Sequence, residues 1–409
     1  MKTTKWKKTR KEIVVFGILT LGIIFGASVV LQDSGFFSRA SWAQAKPLKI
    51  GVLEPISGVY AEAGQRQVKG MQMAFEQYGS EVAGRPIKLI VEDDELNPQV
   101  ALRKARKLVE SDEVDLLMGV ISSGVAYSMK DYATRTKKIL VLTAGGADGV
   151  MRKANYSPYV FGVRAATWQV SSPMGKWLAR KYKRVFITGP DYALGIEMTK
   201  GFKDGWFKAG GPPPVGEVLA PLNTNDYAPY LTQIKNANPD CVFASFAGGD
   251  SVRFVKQFDE FGLKKQILLT GFGYLTDEDN VRAQGDSAIG VMTNFTSCYT
   301  LNTPENKKFV EQYKNRYKDN PSQDDYNGFN GALIVYQALK ELRGNTSDQL
   351  ALSKVIQKTD LMSPQGRIRF DPVTNNGIFD IYIREARKEG GEIHNYVVES
   401  FKEVVAPHE

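Results

Sequence analysis

Residues 48–53 have the sequence LKIGVL, a short run of aliphatic and β-branched side chains that is typical of a buried strand. A helical pattern follows at 65–77, where apolar side chains recur three and four positions apart. Three more strand patterns, at 87–91, 115–120 and 139–142, are separated by further helical patterns. This alternation predicts parallel strands joined by right-handed helical crossovers, the doubly wound α/β arrangement.

The alternation continues through the second half of the chain and predicts a second sheet. Its strand patterns lie at 184–188, 216–219, 241–246 and 266–270. No Ser/Gly-rich linker separates the two halves. We therefore expect two α/β lobes joined by several short crossings, a geometry that allows hinge closure around a ligand. A length of 409 residues also favours more than one domain.

The first 45 residues differ in composition from the rest of the chain. They hold seven basic side chains against two acidic ones, the apolar run Ile13–Val30 and the small-residue site Ala43-Gln44-Ala45. This order predicts a secretory signal peptide, residues 1–45, that is cleaved after Ala45 and directs the mature chain to the periplasm. The alternative is an uncleaved anchor, because the apolar run approaches the roughly 18 residues that span a bilayer.

Composition excludes several classes of protein. A hydrophobic fraction of 43% with 24% charged residues is ordinary for a globular protein, which excludes a disordered chain and a multi-span membrane protein. Two cysteines and two histidines are too few for a Cys/His zinc site or an iron–sulfur cluster, so we expect no metal and no cofactor. The net charge of +8 is concentrated in the first 45 residues, so we expect no nucleic-acid partner.

Motifs of common enzymes are absent from the sequence. There is no Gly-x-Ser-x-Gly nucleophile motif, no Walker lysine motif and no Gly-x-Gly-x-x-Gly after the first strand. His394 and His408 lie near the end of the chain, where we expect surface or packing roles. The acidic run 92–95 is interpreted as a solvated loop before the helix that starts at Asn97-Pro98. We therefore expect a protein that is not an enzyme.

Hydroxyl-bearing and glycine-rich loops follow three of the predicted strands. They begin at Ser57-Gly58, Ser122-Ser123 and Thr143-Ala144-Gly145. In parallel sheets, ligands bind outside the carboxyl ends of the strands, where loops lead into helix N-termini. Uncharged hydroxyls and backbone N–H groups suit a small carboxylate, although Ser and Thr are also ordinary helix caps and Gly an ordinary turn residue.

The order of these motifs resembles the periplasmic substrate-binding proteins of branched-chain amino acid ABC transporters. The resemblance extends from the predicted signal peptide and LKIGVLEPISG at 48–58, through GVISS at 119–123 and TAGGAD at 143–148, to DYALG at 191–195. It implies a type I periplasmic-binding fold with three crossings between lobes. The implied first lobe is 46–165 plus 297–374, and the implied second lobe is 166–296 plus 375–409.

The resemblance also implies ligand contacts. The hydroxyls of Ser122 and Ser123 match the loop that holds a ligand carboxylate, and Tyr192 matches an aromatic residue over the ligand. Where amino-acid binders of this family have an acid, this chain has Phe272. A buried ammonium needs a partner, so this departure disfavours an α-amino acid unless Asp250 substitutes. The full predicted set is Ser57, Tyr60, Ser122, Ser123, Thr143, Ala144, Gly145, Tyr192, Phe246, Asp250 and Phe272.

These observations predict a binding protein that delivers a small hydrophobic or aromatic carboxylate to a membrane ABC permease. We expect a monomer, with Cys241 and Cys298 unpaired. One alternative is a binder of branched-chain or other hydrophobic amino acids, and another is a ligand sensor of the same fold. An exported hydrolase is a more distant alternative, because it would need a nucleophile such as Ser122 and a nearby base.

Overall fold

The computed structural model describes residues 46–409, which form two β-sheets with helices packed on them. The predicted signal peptide, residues 1–45, lies outside the described residues. Within 46–409, no helix combines the length and the apolar character needed to cross a bilayer. The predicted fold class, two doubly wound α/β lobes, is confirmed.

The first sheet has six strands in the order β2-β3-β1-β4-β5-β6, and all pairs except β2–β3 are parallel. Its strands are β1 (Leu48–Glu54), β2 (Glu81–Val82), β3 (Arg85–Asp93), β4 (Leu116–Gly119), β5 (Leu140–Leu142) and β6 (Val160–Gly162). Its connecting helices are α1 (Ala61–Tyr78), α2 (Pro98–Arg106) and α3 (Ser123–Thr136).

The second sheet has nine strands in the order β12-β13-β14-β11-β10-β9-β7-β8, and β15 also pairs with β14. Its strands are β7 (Val185–Pro190), β8 (Gly216–Ala220), β9 (Cys241–Ala244), β10 (Leu268–Phe272), β11 (Met292–Phe295), β12 (Asp360–Ser363), β13 (Gly366–Phe370), β14 (Gly377–Glu389) and β15 (Glu392–Val404). The remaining helices are α4 (Thr167–Ala179), α5 (Ala193–Lys208), α6 (Ala228–Ala237), α7 (Gly248–Glu260), α8 (Glu278–Gln284), α9 (Pro304–Tyr317), α10 (Gln323–Glu341) and α11 (Gln349–Gln357).

The chain passes between the two sheets three times. It leaves the first sheet after β6, returns after β11 to place α10 against α1, and enters the second sheet again at β12. β12 pairs with β13, and β13 pairs with β14 of the second sheet, yet Phe370 at the end of β13 packs edge-on against Phe161 of the first sheet, with ring centroids 5.2 Å apart. This segment therefore lies at the junction of the lobes, and the lobe limits at 165, 296 and 374 stay predictions.

Polar caps fix where several helices start. Asn97 accepts hydrogen bonds from Gln99 N (2.8 Å) and Val100 N (3.2 Å), and Pro98 occupies the first helical position of α2. Thr303 caps α9 in the same way, with Oγ1 3.2 Å from Asn306 N. Such caps satisfy backbone N–H groups that have no partner inside the helix.

Glycines allow close approach of one helix pair in each lobe. A Cβ added to Gly70 of α1 would lie 2.8 Å from Phe329 N of α10 and closer still to the carbonyl oxygen of Asp325. A Cβ added to Gly205 of α5 would lie 2.7 Å from the carbonyl carbon of Ser172 in α4. Backbone therefore packs against backbone in both pairs, which leaves no room for a side chain.

Candidate ligand-binding cleft

The loops at the carboxyl ends of the parallel strands of the two sheets meet between the lobes. Hydrogen bonds that join the two sides include one from Asp148 N to Glu197 Oε2 (3.3 Å) and one from the Tyr274 hydroxyl to Asp324 Oδ1 (3.1 Å). The contributing loops are 55–60 after β1, 120–122 after β4, 143–148 after β5, 191–192 after β7, 245–247 after β9 and 273–277 after β10. The cleft is thus bounded by the part of each sheet where α/β proteins bind ligands.

Ser122 and Ser123 are half-buried at the start of α3. The Ser122 Oγ accepts a hydrogen bond from Val125 N (3.4 Å) and so caps the helix, while the Ser123 Oγ accepts one from Ala147 N (3.2 Å). Each hydroxyl oxygen acts as an acceptor in these bonds, so its own hydrogen stays available as a donor. We call this pair the hydroxyl clasp, because two donors at a helix N-terminus suit a carboxylate.

The neighbouring loop after β5 has one side chain that turns away from the clasp. Thr143 is fully buried, and its hydroxyl donates to Glu54 Oε1 (3.3 Å). Ala144 is half-buried, and Gly145 has a φ of +71°, which favours glycine. A direct contact between the Thr143 hydroxyl and a ligand would therefore require the bond to Glu54 to open, whereas Ala144 and Gly145 offer backbone groups.

Three tyrosines from the two lobes come together across the cleft. Tyr60 follows β1, Tyr192 follows β7 and Tyr274 follows β10. Tyr60 lies close enough to Tyr192 and to Tyr274 to raise the pKa of both hydroxyls. Burial, with Tyr60 second, raises the pKa of Tyr192, so its hydroxyl stays neutral. Aromatic rings with polar tips suit a planar solute with polar substituents.

Phe246 and Asp250 are buried within the second lobe. Phe246 packs with Tyr227 and Phe254, at centroid distances of 5.2 and 4.6 Å. Asp250 accepts a hydrogen bond from Asn223 N (3.1 Å) and pairs with Arg253. Asp250 therefore already has a cationic partner, which a ligand ammonium would have to displace.

Phe272 and Ser57 lie at opposite extremes of exposure. Phe272 is 1% exposed and packs edge-on against Tyr274 and Phe295, with ring centroids 5.7 and 6.3 Å apart. It therefore packs against Tyr274 from within the second lobe. Ser57 is exposed and directly precedes the short helical turn Gly58–Tyr60. The ligand contacts predicted for these two residues, and for Phe246 and Asp250, stay predictions.

Buried acids beside the cleft are the feature that the sequence analysis missed. Glu54 and Asp94 are fully buried and Asp324 is 5% exposed. Burial, with Asp94 and Asp324 next in importance, raises the pKa of Glu54 well above its usual range. Burial also raises the pKa of Asp94 to about 6 and, with Asp277, that of Asp324 to about 7.

One of these acids corrects an expectation. The sequence predicts a solvated loop at 92–95, and Glu92 does pair with Lys104 and Lys107, at 2.6 Å each. Asp94 instead points inward, where its Oδ1 accepts from Leu96 N (2.8 Å). The only signal in the sequence was the position of these acids directly after strands, which is shared with many solvated loops.

Comparison with known proteins agrees with this architecture. The Leu/Ile/Val-binding protein homolog 6 of Brucella melitensis is 28% identical over 375 residues, which cover 90% of this chain and 95% of that protein. An ABC transporter substrate-binding protein from Sphaerobacter thermophilus is 31% identical, with a TM-score of 0.86 over 88% of this chain and 99% of that one. A solute-binding protein of an ABC transporter from Rhodopseudomonas palustris, solved with 3,4-dihydroxybenzoic acid, is 31% identical with a TM-score of 0.82 and the same coverage.

A family model described as periplasmic binding protein matches residues 47–392, nearly the whole described chain. The same two-lobed α/β fold, the interlobe cleft and the similarity over full length to substrate-binding proteins all agree with this match. The chain therefore belongs to the periplasmic binding protein family.

Proposed function

We propose that this protein binds a small aromatic or hydrophobic carboxylate outside the cytoplasmic membrane and delivers it to an ABC permease. The observation that best supports this proposal is the meeting of Tyr60, Tyr192 and Tyr274 across a cleft whose first-lobe wall holds the hydroxyl clasp. The clasp would bind the carboxylate, and the tyrosines would cover the ring. Apolar ring area buried there stabilises binding by roughly 25 cal/mol per Å².

The similar protein solved with 3,4-dihydroxybenzoic acid supports an aromatic carboxylate. Hydrophobic amino acids are the second candidate, because the Brucella relative is named a Leu/Ile/Val-binding protein and because Glu54 and Asp324 lie beside the cleft. A ligand sensor of the same fold would share the same site.

We propose a binding role without catalysis, and the placement of the two histidines supports it. His394 is hydrogen-bonded through both ring nitrogens, to Glu278 (2.8 Å) and to Glu392 (3.0 Å). His408 is bonded to Asp371 (2.6 Å). Neither histidine contacts Ser122 or Ser123, which a hydrolase of the serine type would require. We further propose that the chain is exported, is cleaved after Ala45 and acts as a monomer.

Titration calorimetry tests the proposal with 3,4-dihydroxybenzoate, 4-hydroxybenzoate, benzoate and L-leucine as probes. We expect at least one aromatic carboxylate to bind in the micromolar range or tighter, at 1:1 stoichiometry, and to be recovered chemically unchanged. Binding of L-leucine together with failure of all three aromatic acids would refute the aromatic proposal in favour of the amino-acid candidate. A probe recovered as a different compound would refute a purely binding role.

A further inference from the structure

The acids beside the cleft have too few hydrogen-bond donors around them. Glu54 Oε2, Asp94 Oδ2 and Gln67 Oε1 are buried and accept no hydrogen bond. Gln67 is fully buried too, and its Nε2 donates to Asp324 Oδ1 (3.2 Å), which places its free Oε1 beside the same carboxylate. A buried acceptor without a donor lowers the stability of the folded protein by about 1–3 kcal/mol, so a cluster of three is unusual in a protein core.

Asp324 is 5% exposed, whereas Glu54, Asp94 and Gln67 are fully buried, so Asp324 is the member of this set that a solute can reach. Its Oδ1 accepts from both Gln67 and the Tyr274 hydroxyl, whereas its Oδ2 accepts no hydrogen bond within residues 46–409. Tyr274 is half-buried and belongs to the tyrosine group that covers the cleft from the second lobe. A solute between the tyrosines would therefore meet Asp324 at the first-lobe wall.

The acids have no cationic partner that would neutralise them. Within the described residues, none of Glu54, Asp94 and Asp324 has a Lys, Arg or His nitrogen within 4 Å, and the nearby guanidinium of Arg66 is bound to Asp325 (2.9 Å) instead. The other charged groups that act on the set are Asp93 from β3, Asp277 from the loop after β10 and Asp325 from α10, and all three are acids. No group of three or more His, Cys, Asp or Glu side chains in 46–409 is placed to hold a metal ion. The missing donors are therefore O–H or N–H groups.

We propose that Asp324, with Glu54 and Gln67 behind it, forms an acceptor subsite that binds an O–H or N–H group at the end of the solute remote from its carboxylate. This inference rests on the proposed function, because it takes the hydroxyl clasp as the carboxylate end of the site. Burial, with Asp94 and Asp324 next in importance, raises the pKa of Glu54 well above its usual range, so the subsite favours forms of the set that carry less negative charge. The solute class is then a hydroxylated aromatic carboxylate rather than benzoate itself.

The test compares pairs of probes that differ by one donor. We expect the wild-type protein to bind 4-hydroxybenzoate at least ~10-fold more tightly than benzoate. The same preference is expected over 4-fluorobenzoate, because its fluorine carries no hydrogen to donate. Asp324→Asn should reduce this preference to about 2-fold, with benzoate affinity changed by less than about 3-fold. Glu260→Gln, which removes an exposed acid at the end of α7, should leave the preference unchanged.

Several results would overturn the inference. Equal wild-type affinities for 4-hydroxybenzoate, benzoate and 4-fluorobenzoate would overturn it. This result needs no variant, so the inference can be refuted even if Asp324→Asn does not fold. A preference that survives in folded Asp324→Asn would overturn it as well. If the wild type binds L-leucine but no aromatic acid, the proposed function fails. The acceptor subsite would then be tested separately with leucine: loss of leucine binding in Asp324→Asn would support the subsite, and unchanged leucine binding would overturn it. If none of the probes binds, both proposals are overturned.

Discussion

Replacing Gly70 by Ala tests whether the contact between α1 and α10 controls both stability and the cleft wall. An added Cβ would lie 2.8 Å from Phe329 N, where ordinary contacts begin at 3.4 Å, so the helices must separate by at least about 0.6 Å. The obstacles are backbone atoms, which cannot rotate away. Overpacking of this kind lowers the free energy of unfolding by about 1–3 kcal/mol, and we take the upper end of this range because the obstacles are backbone atoms. The higher helix propensity of Ala offsets about 1 kcal/mol of this loss. The expected net loss is about 1–2 kcal/mol.

The same substitution should affect ligand preference, because α1 and α10 share the acceptor subsite. Gln67 lies one turn before Gly70, and its Nε2 is 3.2 Å from Asp324 Oδ1. Separation of the helices would lengthen this hydrogen bond and move Asp324 relative to the clasp. We therefore expect Gly70→Ala to weaken binding of 4-hydroxybenzoate more than binding of benzoate.

Urea unfolding followed by circular dichroism measures the stability change, with calorimetry for the two ligands. Gly124→Ala is the matched control for stability, because its Cβ would have no heavy atom nearer than 3.7 Å and the position lies in the first turn of α3. This control should be unchanged or stabilised by up to about 1 kcal/mol. A Gly70→Ala protein as stable as Gly124→Ala would show that the helix pair tolerates separation and that the reasoning is wrong.

Three further predictions concern the cleft, the buried acids and export. Tyr192→Ala should weaken binding of an aromatic carboxylate by roughly 1–2 kcal/mol while Tyr192→Phe, which keeps the ring, loses less, as calorimetry would show; equal losses would refute the ring contact. Asp324 has a folded-state pKa of about 7 against about 3.9 unfolded, so its contribution to stability is present below about pH 4 and is lost as the pH rises to about 7. The free energy of unfolding, measured by urea titration, should therefore fall less between these pH values in Asp324→Asn than in the wild type, by roughly 2–4 kcal/mol, and parallel pH curves for the two proteins would contradict the assignment. Intact-mass analysis of exported protein should give a chain that begins at Lys46, and a retained Met1–Ala45 segment would favour the anchor.

The sheets were predictable because their central strands β1, β4, β7 and β9 are buried on both faces. A strand covered by helices on both sides is a continuous apolar run, as in Leu116–Gly119, and such runs stand out in a sequence. The long strand Glu392–Val404 was not predicted, because it lies beside only one strand and alternates irregularly between buried and exposed positions. The helix Glu278–Gln284 was not predicted either, because its 7 residues are too few to show a helical pattern in the sequence.

The hydroxyl clasp was predictable from local sequence, whereas the buried acids were not. Ser122 and Ser123 follow a strand and start a helix, and both facts depend on neighbouring residues alone. The raised pKa of Glu54 depends on its burial, on Asp94 and on Asp324, and Asp324 is 270 positions away along the chain. A carboxylate after a strand has the same local pattern whether it is solvated or enclosed, so only the tertiary structure distinguishes the two.

The acids change what can be concluded about an ammonium group on the solute. The absence of an acid at Phe272 disfavours an amino acid only if no other carboxylate reaches the cleft, and Asp324 reaches it from the opposite lobe. An ammonium needs Asp324 in its ionised form, whereas a phenolic hydroxyl can donate to either form of the carboxyl group. Because burial raises the pKa of Asp324 to about 7, we expect binding of any amino acid to weaken as the pH falls below about 7, while binding of 4-hydroxybenzoate changes less. Calorimetry on both sides of that pH would decide: an amino acid bound equally well on the acidic side would mean that its ammonium has a partner other than Asp324.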